Sequence, residues 1–254
     1  MYDILNYPLV LFGLSFLTLW LVTRLGAVIR KGRLMDQNIR DDFGTILATT
    51  LTLSSLIIGF SFSMAINRYE QRKTFEEAEA NAIGTEYVRA DLLTPEDAAT
   101  VRSLLRQYLD QRLSYYTVRN VRQLGQIEAR TMQLQNDLWT AIRRSASTQP
   151  TPIVALAVAG MNDVLNSQGY TDAAWRNRIP AGAWFLMAAI SFITQYLVGY
   201  GARNSKLEGA LFRVLPFVLS ISFLLIADID SPRSGLIHVR PLNLTILAEA
   251  LHSP

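Results

Sequence analysis

The chain has 254 residues, of which 50% are hydrophobic and 18% charged, with a formal net charge of +3. It holds no cysteine and only two histidines, His238 and His252. Disulfides, thiolate metal centres and histidine-rich metal sites are therefore excluded, and no Ser-His-Asp, Cys-His or metalloprotease spacing occurs. The basic residues lie at membrane flanks and on amphipathic helices rather than in one dense run, which argues against nucleic acid as a partner.

The first element, Ile4 to Thr23, is apolar, uncharged and long enough to cross a bilayer as a helix. It lacks a basic leading region and a small-x-small cleavage site, so it reads as a retained span and not as a removable signal peptide. The second, Phe43 to Asn67, is also free of charge. At about 100° per residue, Gly44, Ala48, Thr52, Ser55, Gly59 and Ser63 share one small-residue arc. Thr45, Thr49, Leu56, Phe60 and Asn67 extend it into a more polar stripe, and Ile46, Leu47, Leu53, Ile57, Ile58 and Met64 fall mostly on the other side. A plain anchor has no need of this asymmetry. Such stripes most often mark close helix packing, and a helix that faces a pore needs them too. In a symmetric oligomer the two readings are compatible.

Residues 68–178 read as helices throughout. No breaker follows the second span, so its helix is expected to continue through Glu76, Glu77 and Glu79 toward Asp91. Thr94 as N-cap, Pro95 at the first position, then Glu96 and Asp97 start the next helix. Its apolar face is Val101, Leu104, Leu105, Tyr108, Leu109 and Leu113. A further helix is predicted from Asn120 to Arg144, with Leu124, Ile127, Leu134, Leu138 and Ile142 inward. Ser145 to Thr151 reads as a loop. Pro152 opens another helix through Met161 and Leu165, which Gln168 and Gly169 are expected to end. The carboxylates Glu76, Glu77, Glu79, Glu86 and Asp91 alternate with Arg72, Lys73 and Arg89 at helix-pair spacings. They are expected to be solvated or salt-bridged, not catalytic.

Pro180 suits the start of a third span, Ile179 to Ala202. The fourth, Leu211 to Ala227, is the weakest and spans only if Arg213 snorkels. Trp20, Trp184, Tyr196 and Tyr200 stand where an aromatic belt would. After the fourth span, Asp228 and Asp230 precede Pro232 and Gly235. The pair reads first as a turn with Asp230 or Ser231 capping and Arg233 paired to a carboxylate. It is also a candidate ion vestibule, although a calcium loop would supply more oxygen ligands. The chain thus divides into a first membrane pair (1–67), a helical extramembrane region (68–178), a second membrane pair (179–227) and a tail with a short helix (228–254). Arg30, Lys31, Arg33 and Arg40 in one short loop, with Arg203 and Lys206 in the other, put those loops in the cytoplasm by the positive-inside rule. Arg68, Arg72, Lys73, Arg176 and Arg178 at the edges of the middle region nearly balance them.

Leu56 to Leu93 resembles the bestrophin-like family of bacterial membrane proteins. The similar pieces are Gly59-Phe60-Ser61-Phe62-Ser63-Met64, Arg68-Tyr69, Glu79-Ala80-Asn81-Ala82-Ile83-Gly84-Thr85 and Arg89-Ala90-Asp91-Leu92-Leu93. Asp228-x-Asp230-x-Pro232-x-x-Gly235 is similar too. A fainter likeness to the bestrophin channels proper rests on Gly59-Phe60 followed nine residues after the glycine by Arg68-Tyr69. Those channels are pentamers whose second helices line an apolar neck. The resemblance implies neck positions at Thr52, Leu56 and Phe60, of which Thr52 departs from the apolar pattern. The acidic calcium-binding stretch of animal bestrophins is not matched.

The expectation is an all-α, four-span membrane protein with a helical extramembrane bundle, in a bacterial inner membrane. It would form a homo-oligomer, a pentamer by the resemblance, in contact with lipid and inorganic ions and without a cofactor. Thr45, Thr49, Thr52, Leu56, Phe60, Ser63 and Asn67 would line a pore for passive ion conduction. The alternative is a membrane-anchored scaffold or signalling protein whose helical region binds a partner through the Val101 to Leu113 face.

Overall fold

The computed structural model describes residues 7–30, 37–202 and 205–252, with side chains undescribed for 37–38, 121 and 205–211. Ile4 to Asn6 of the first expected span, and Lys31, Arg33 and Arg203 of the charge argument, lie outside the described residues, as does the side chain of Lys206. The described residues are helical, without strands. In order the helices are α1 (Pro8–Arg30), α2 (Gln37–Arg89), a 3-10 turn (Ala90–Leu92), α3 (Pro95–Thr117), α4 (Val121–Thr148), α5 (Pro152–Arg176), α6 (Ala181–Gly201), α7 (Ser205–Asp230) and α8 (Leu242–His252). Four stretches hold a window long and apolar enough to cross a membrane: Pro8–Arg30, Ile39–Leu92, Pro152–Gly201 and Phe212–Asp230. The protein is an all-α, four-span membrane protein.

Two units emerge from the packing. One comprises Met1–Arg68 with Arg178–His238, the other Tyr69–Asn177 with Val239–Pro254. In the first unit α1 packs on α6 and α7. The α1–α6 approach depends on two glycines. A Cβ at Gly199 would strike the Thr23 carbonyl, and one at Gly26 would strike the backbone of Tyr196. Thr23 Oγ1 donates to Gln195 Oε1 at 2.7 Å inside this contact. Small residues and an interhelical hydrogen bond hold helices where lipid removes the hydrophobic drive for association. Against α7, Phe12 and Phe16 both meet Phe217 edge to face, at 5.8 and 6.3 Å. The α1 helix runs past its expected end at Thr23 to Arg30. Arg24 is carried there over the Trp20 ring at 5.2 Å. Arg30 is carried by donating to the carbonyls of Tyr200 and Ala202 (3.0 and 3.1 Å) at the C-terminal end of α6, where a cation also suits the helix dipole. Pro216 sits inside α7, and Arg213 on that helix is exposed.

The second unit is built on the remainder of α2 with α3, α4, α5 and α8. Ile83, Val101, Leu105, Leu134, Leu138 and Ile142 are fully buried in its core. Thr94 caps α3 as expected, accepting from the Asp97 N–H at 3.3 Å. Two expected boundaries shift. Ser145–Thr148 belong to α4, where the hydroxyls of Ser145, Ser147 and Thr148 bond back to carbonyls one turn earlier. The α5 helix continues through Gly169 to Arg176. A helical glycine costs only about 1 kcal/mol. Thr171 bonded to Glu79, with Ala174 and Trp175 buried, outweighs it.

The acidic run also differs from expectation. Glu77 and Asp91 are exposed, but Glu76, Glu79, Glu86 and Arg72 are buried. Arg72, Glu76, Glu79 and Glu86 step by four, three and seven residues, which puts them on one side of α2, and the partners come from other helices. Glu79 is ion-paired with Arg112 of α3 and accepts from Tyr116 (3.2 Å) and Thr171 (3.0 Å). Asp172 stands 3.8 Å from the same guanidinium. Burial alone would lower the Arg112 pKa, but Glu79 beside it raises it, so Arg112 keeps its charge. Glu76 accepts from Leu244 N–H (2.9 Å) and Asn243 Nδ2 (2.6 Å). It thereby satisfies an open N–H at the N-terminus of α8.

Candidate functional site

Helix α2 has two faces of opposite character. Ser54, Ile58, Ser61 and Ala65 are buried, followed in register by Arg72, Glu76, Glu79, Ile83, Glu86 and Ala90. Within Ser54–Ala65 and within Arg72–Ala90 the steps are of three and four residues, and a step of seven separates the two runs, a seam like one side of a heptad. Every expected pore residue, Thr45, Thr49, Thr52, Leu56, Phe60, Ser63 and Asn67, is exposed. At about 100° per residue these seven fall within an arc of roughly 80°, centred about 180° from the seam. The protomer therefore packs one side of α2 and leaves the opposite side open. Leu56 and Phe60 are 51% and 64% exposed, large apolar side chains among hydroxyls.

The hydroxyls on this face are turned inward. Thr45 donates to the Asp41 carbonyl (3.1 Å), Thr49 to Thr45 (2.8 Å) and Thr52 to Ala48 (2.9 Å). Back-bonding of this kind lets hydroxyls occupy an apolar setting without an unmet donor, and leaves oxygen lone pairs outward. The apolar side assigned from periodicity is only partly inside: Ile58 is buried, whereas Ile46 and Leu53 are exposed. What periodicity missed is the pair of serines, Ser54 and Ser61, in the seam. The three-four spacing shared with Ile58 and Ala65 is the signal that finds them.

Asp228 and Asp230 are buried in the first unit. Asp228 accepts from the N–H groups of Leu236 and Ile237, each at 2.7 Å. Asp230 accepts from Ile179 N–H at 3.1 and 3.2 Å. The carboxylates thus stabilise the turn after α7 and the entry to α6. Among the described residues no group of three or more His, Cys, Asp or Glu side chains could hold a metal ion. The α3 face expected to take a partner is occupied by the protein itself, since Val101, Leu105, Tyr108 and Leu109 are fully buried.

One further buried carboxylate went unnoticed as such in the sequence. Glu86 is fully buried, and neither oxygen has a hydrogen-bond partner. It lies against Gly160 of α5, where a Cβ would collide with it and with Arg89. Burial pushes its pKa up to about 8, with Arg89 opposing and Asp163 adding to the rise.

A family model described as the bestrophin-like domain matches residues 9–244. No curated protein matches the chain. The fold is similar to the crystal structure of a bacterial bestrophin homologue from Klebsiella pneumoniae, with 15% identity, a TM-score of 0.61, and 94% of this chain and 96% of that one covered. A point mutant of that homologue gives 13% identity and a TM-score of 0.63 over 94% and 97% of the two chains. The crystal structure of a mutant membrane protein gives 12% and 0.61 over 93% and 97%.

Proposed function

The chain belongs to the bestrophin-like family, and from that premise we propose that it is an ion channel formed by a homopentamer in the bacterial inner membrane. The α2 helices of the five protomers would surround the axis. Leu56 and Phe60 would form apolar rings able to gate by dewetting. Thr45, Thr49, Thr52, Ser63 and Asn67 would meet permeating ions or their water. The observation that carries this reading is the open face of α2. Seven residues opposite the packing seam are exposed in the chain, and two of them, Leu56 and Phe60, are large apolar groups among hydroxyls. Asp228 and Asp230, the candidate ion vestibule, hold backbone N–H groups with their carboxylates, which supports a role in fixing the turn after α7.

The test is flux of chloride and potassium from liposomes holding the purified protein, under imposed gradients. Phe60→Ala removes the bulk of one ring and is expected to raise the flux of whichever ion passes. Unchanged flux from a folded, oligomeric Phe60→Ala protein would remove the neck from this position. No flux from any form would favour the membrane-anchored scaffold. That reading has its own support in the second unit, where Met132, Trp139, Ile153 and Leu156 are exposed on α4 and α5.

A further inference from the structure

The loop that follows α7 exposes apolar side chains while satisfying the backbone beneath them. Leu236 is 84% exposed and Ile237 40%. Their N–H groups are bonded to the two oxygens of buried Asp228, and Gly235 N–H bonds to the Ser231 carbonyl at 3.4 Å. Residue 235 has to be glycine, because a Cβ there would strike the Asp228 carbonyl. Water would satisfy such N–H groups at no structural cost, whereas hydrocarbon would not, so a loop entering lipid must satisfy them internally. The same side chains line a cavity of about 390 Å³ with Pro8, Leu9, Leu224 and Leu225, at the start of α1 and the end of α7. Farther along α1, Leu14, Leu17, Leu21, Leu25 and Val28 are exposed as well, on a helix long and apolar enough to cross a membrane.

We propose that the Ser231–Ile237 loop is a membrane-interface wedge, which seats Leu236 and Ile237 among phospholipid acyl chains, and that Asp228 is the residue that fits its backbone for that medium. The partner is phospholipid. An interface between copies and simple exposure to water are the alternatives that a measurement separates. This inference does not depend on conduction.

The chain has no cysteine, so Leu236→Cys or Ile237→Cys gives a single site for a nitroxide label. The full-length protein is reconstituted in phosphatidylcholine and phosphatidylglycerol vesicles, and label collisions with oxygen and with a water-soluble nickel chelate are read by electron paramagnetic resonance. Leu17→Cys serves as the lipid control and Met132→Cys as the exposed control in the second unit. The expected result at 236 and 237 is a ratio of oxygen to nickel collisions close to that at 17 and several-fold above that at 132. High nickel accessibility would place the loop in water. Low accessibility to both would place it against another copy of the chain. Either result overturns the proposal. Adding Asp228→Asn, which leaves one of the two N–H groups without its acceptor, is expected to raise nickel collisions at 236 several-fold. No change in a folded Asp228→Asn protein would overturn the role of the carboxylate. If that variant fails to fold, the labels alone decide where the loop lies.

Discussion

Glu86 and Glu79 are both fully buried carboxylates on the same helix, and their surroundings give them opposite behaviour. Glu79 has an ionised partner and two hydroxyl donors. Replacing Arg112 with methionine removes the cation and leaves the buried Glu79 side chain without its ion-pair partner, which should cost roughly 3–5 kcal/mol. Adding Glu79→Gln should recover part of that loss, as read by thermal unfolding of the purified protein. An Arg112→Met protein as stable as wild type would show that the pair is not a determinant of the bundle. Glu86 has no hydrogen-bond donor and a pKa raised to about 8 from 4.5, chiefly by burial. Its neutral form is the one the folded chain favours. The stability it contributes is complete below about pH 4.5, declines as the unfolded chain alone loses the proton, and levels off above about pH 8, a change of about 5 kcal/mol at most. Glu86→Gln should flatten the fall in melting temperature between pH 5 and pH 8. If wild type and Glu86→Gln lose the same stability over that range, the group is solvated or paired. The sequence showed a run of carboxylates among basic residues. It could not separate these two, because their partners Arg112 and Thr171, and the neighbour Gly160, come from 33, 92 and 74 positions away in the chain.

The α2 helix carries a sharper contrast between two serines. Ser61 is buried in the seam and Ser63, two residues on, is exposed on the opposite face. Ser61→Leu forces two extra heavy atoms into a packed contact, and overpacking of this kind typically costs about 1–3 kcal/mol. Ser63→Leu leaves the protomer's own packing untouched. Ser61→Leu should therefore lower the yield of monodisperse protein on size-exclusion chromatography. Ser63→Leu should keep that yield but reduce flux by narrowing the stripe. The opposite pattern would exchange the roles of the two faces. Much of this helix was legible from sequence. The absence of a breaker after Asn67 predicted its continuation, and helical periodicity brought the seven stripe residues together. The seam was less legible because it mixes Ser54, Ile58, Ser61 and Ala65 with Arg72, Glu76 and Glu79, so hydropathy does not mark it. The ends of α4 and α5 were misplaced for a related reason. Ser145 to Thr148 and Gly169 are poor helix formers, held helical by back-bonding hydroxyls and by tertiary contacts that local propensity does not contain.

A single chain buries one side of α2 and leaves the other exposed, so the proposed channel requires an assembly. Rings at Leu56 and Phe60 can surround a path only if each protomer presents the same stripe to a common axis, which closed cyclic symmetry provides. The exposed stripe of α1 carries the opposite expectation, since Leu17 and Leu21 lie on a helix outside the proposed pore lining. The cysteine-free sequence makes the distinction measurable. Ser63→Cys on the open face of α2 should form disulfides between protomers when the protein is oxidised in membranes, giving dimers on a denaturing gel that reducing agent dissolves. Leu17→Cys should give monomers under the same treatment. A cysteine pair can close only when its Cα atoms come within about 7 Å, so cross-linking at 63 reports a narrow approach of neighbouring α2 helices and not mere proximity. Monomers from Ser63→Cys, with native mass spectrometry still showing five copies, would keep the pentamer but move α2 off its axis. Monomers by both measurements would remove the assembly, and with it the reading of the stripe as a pore.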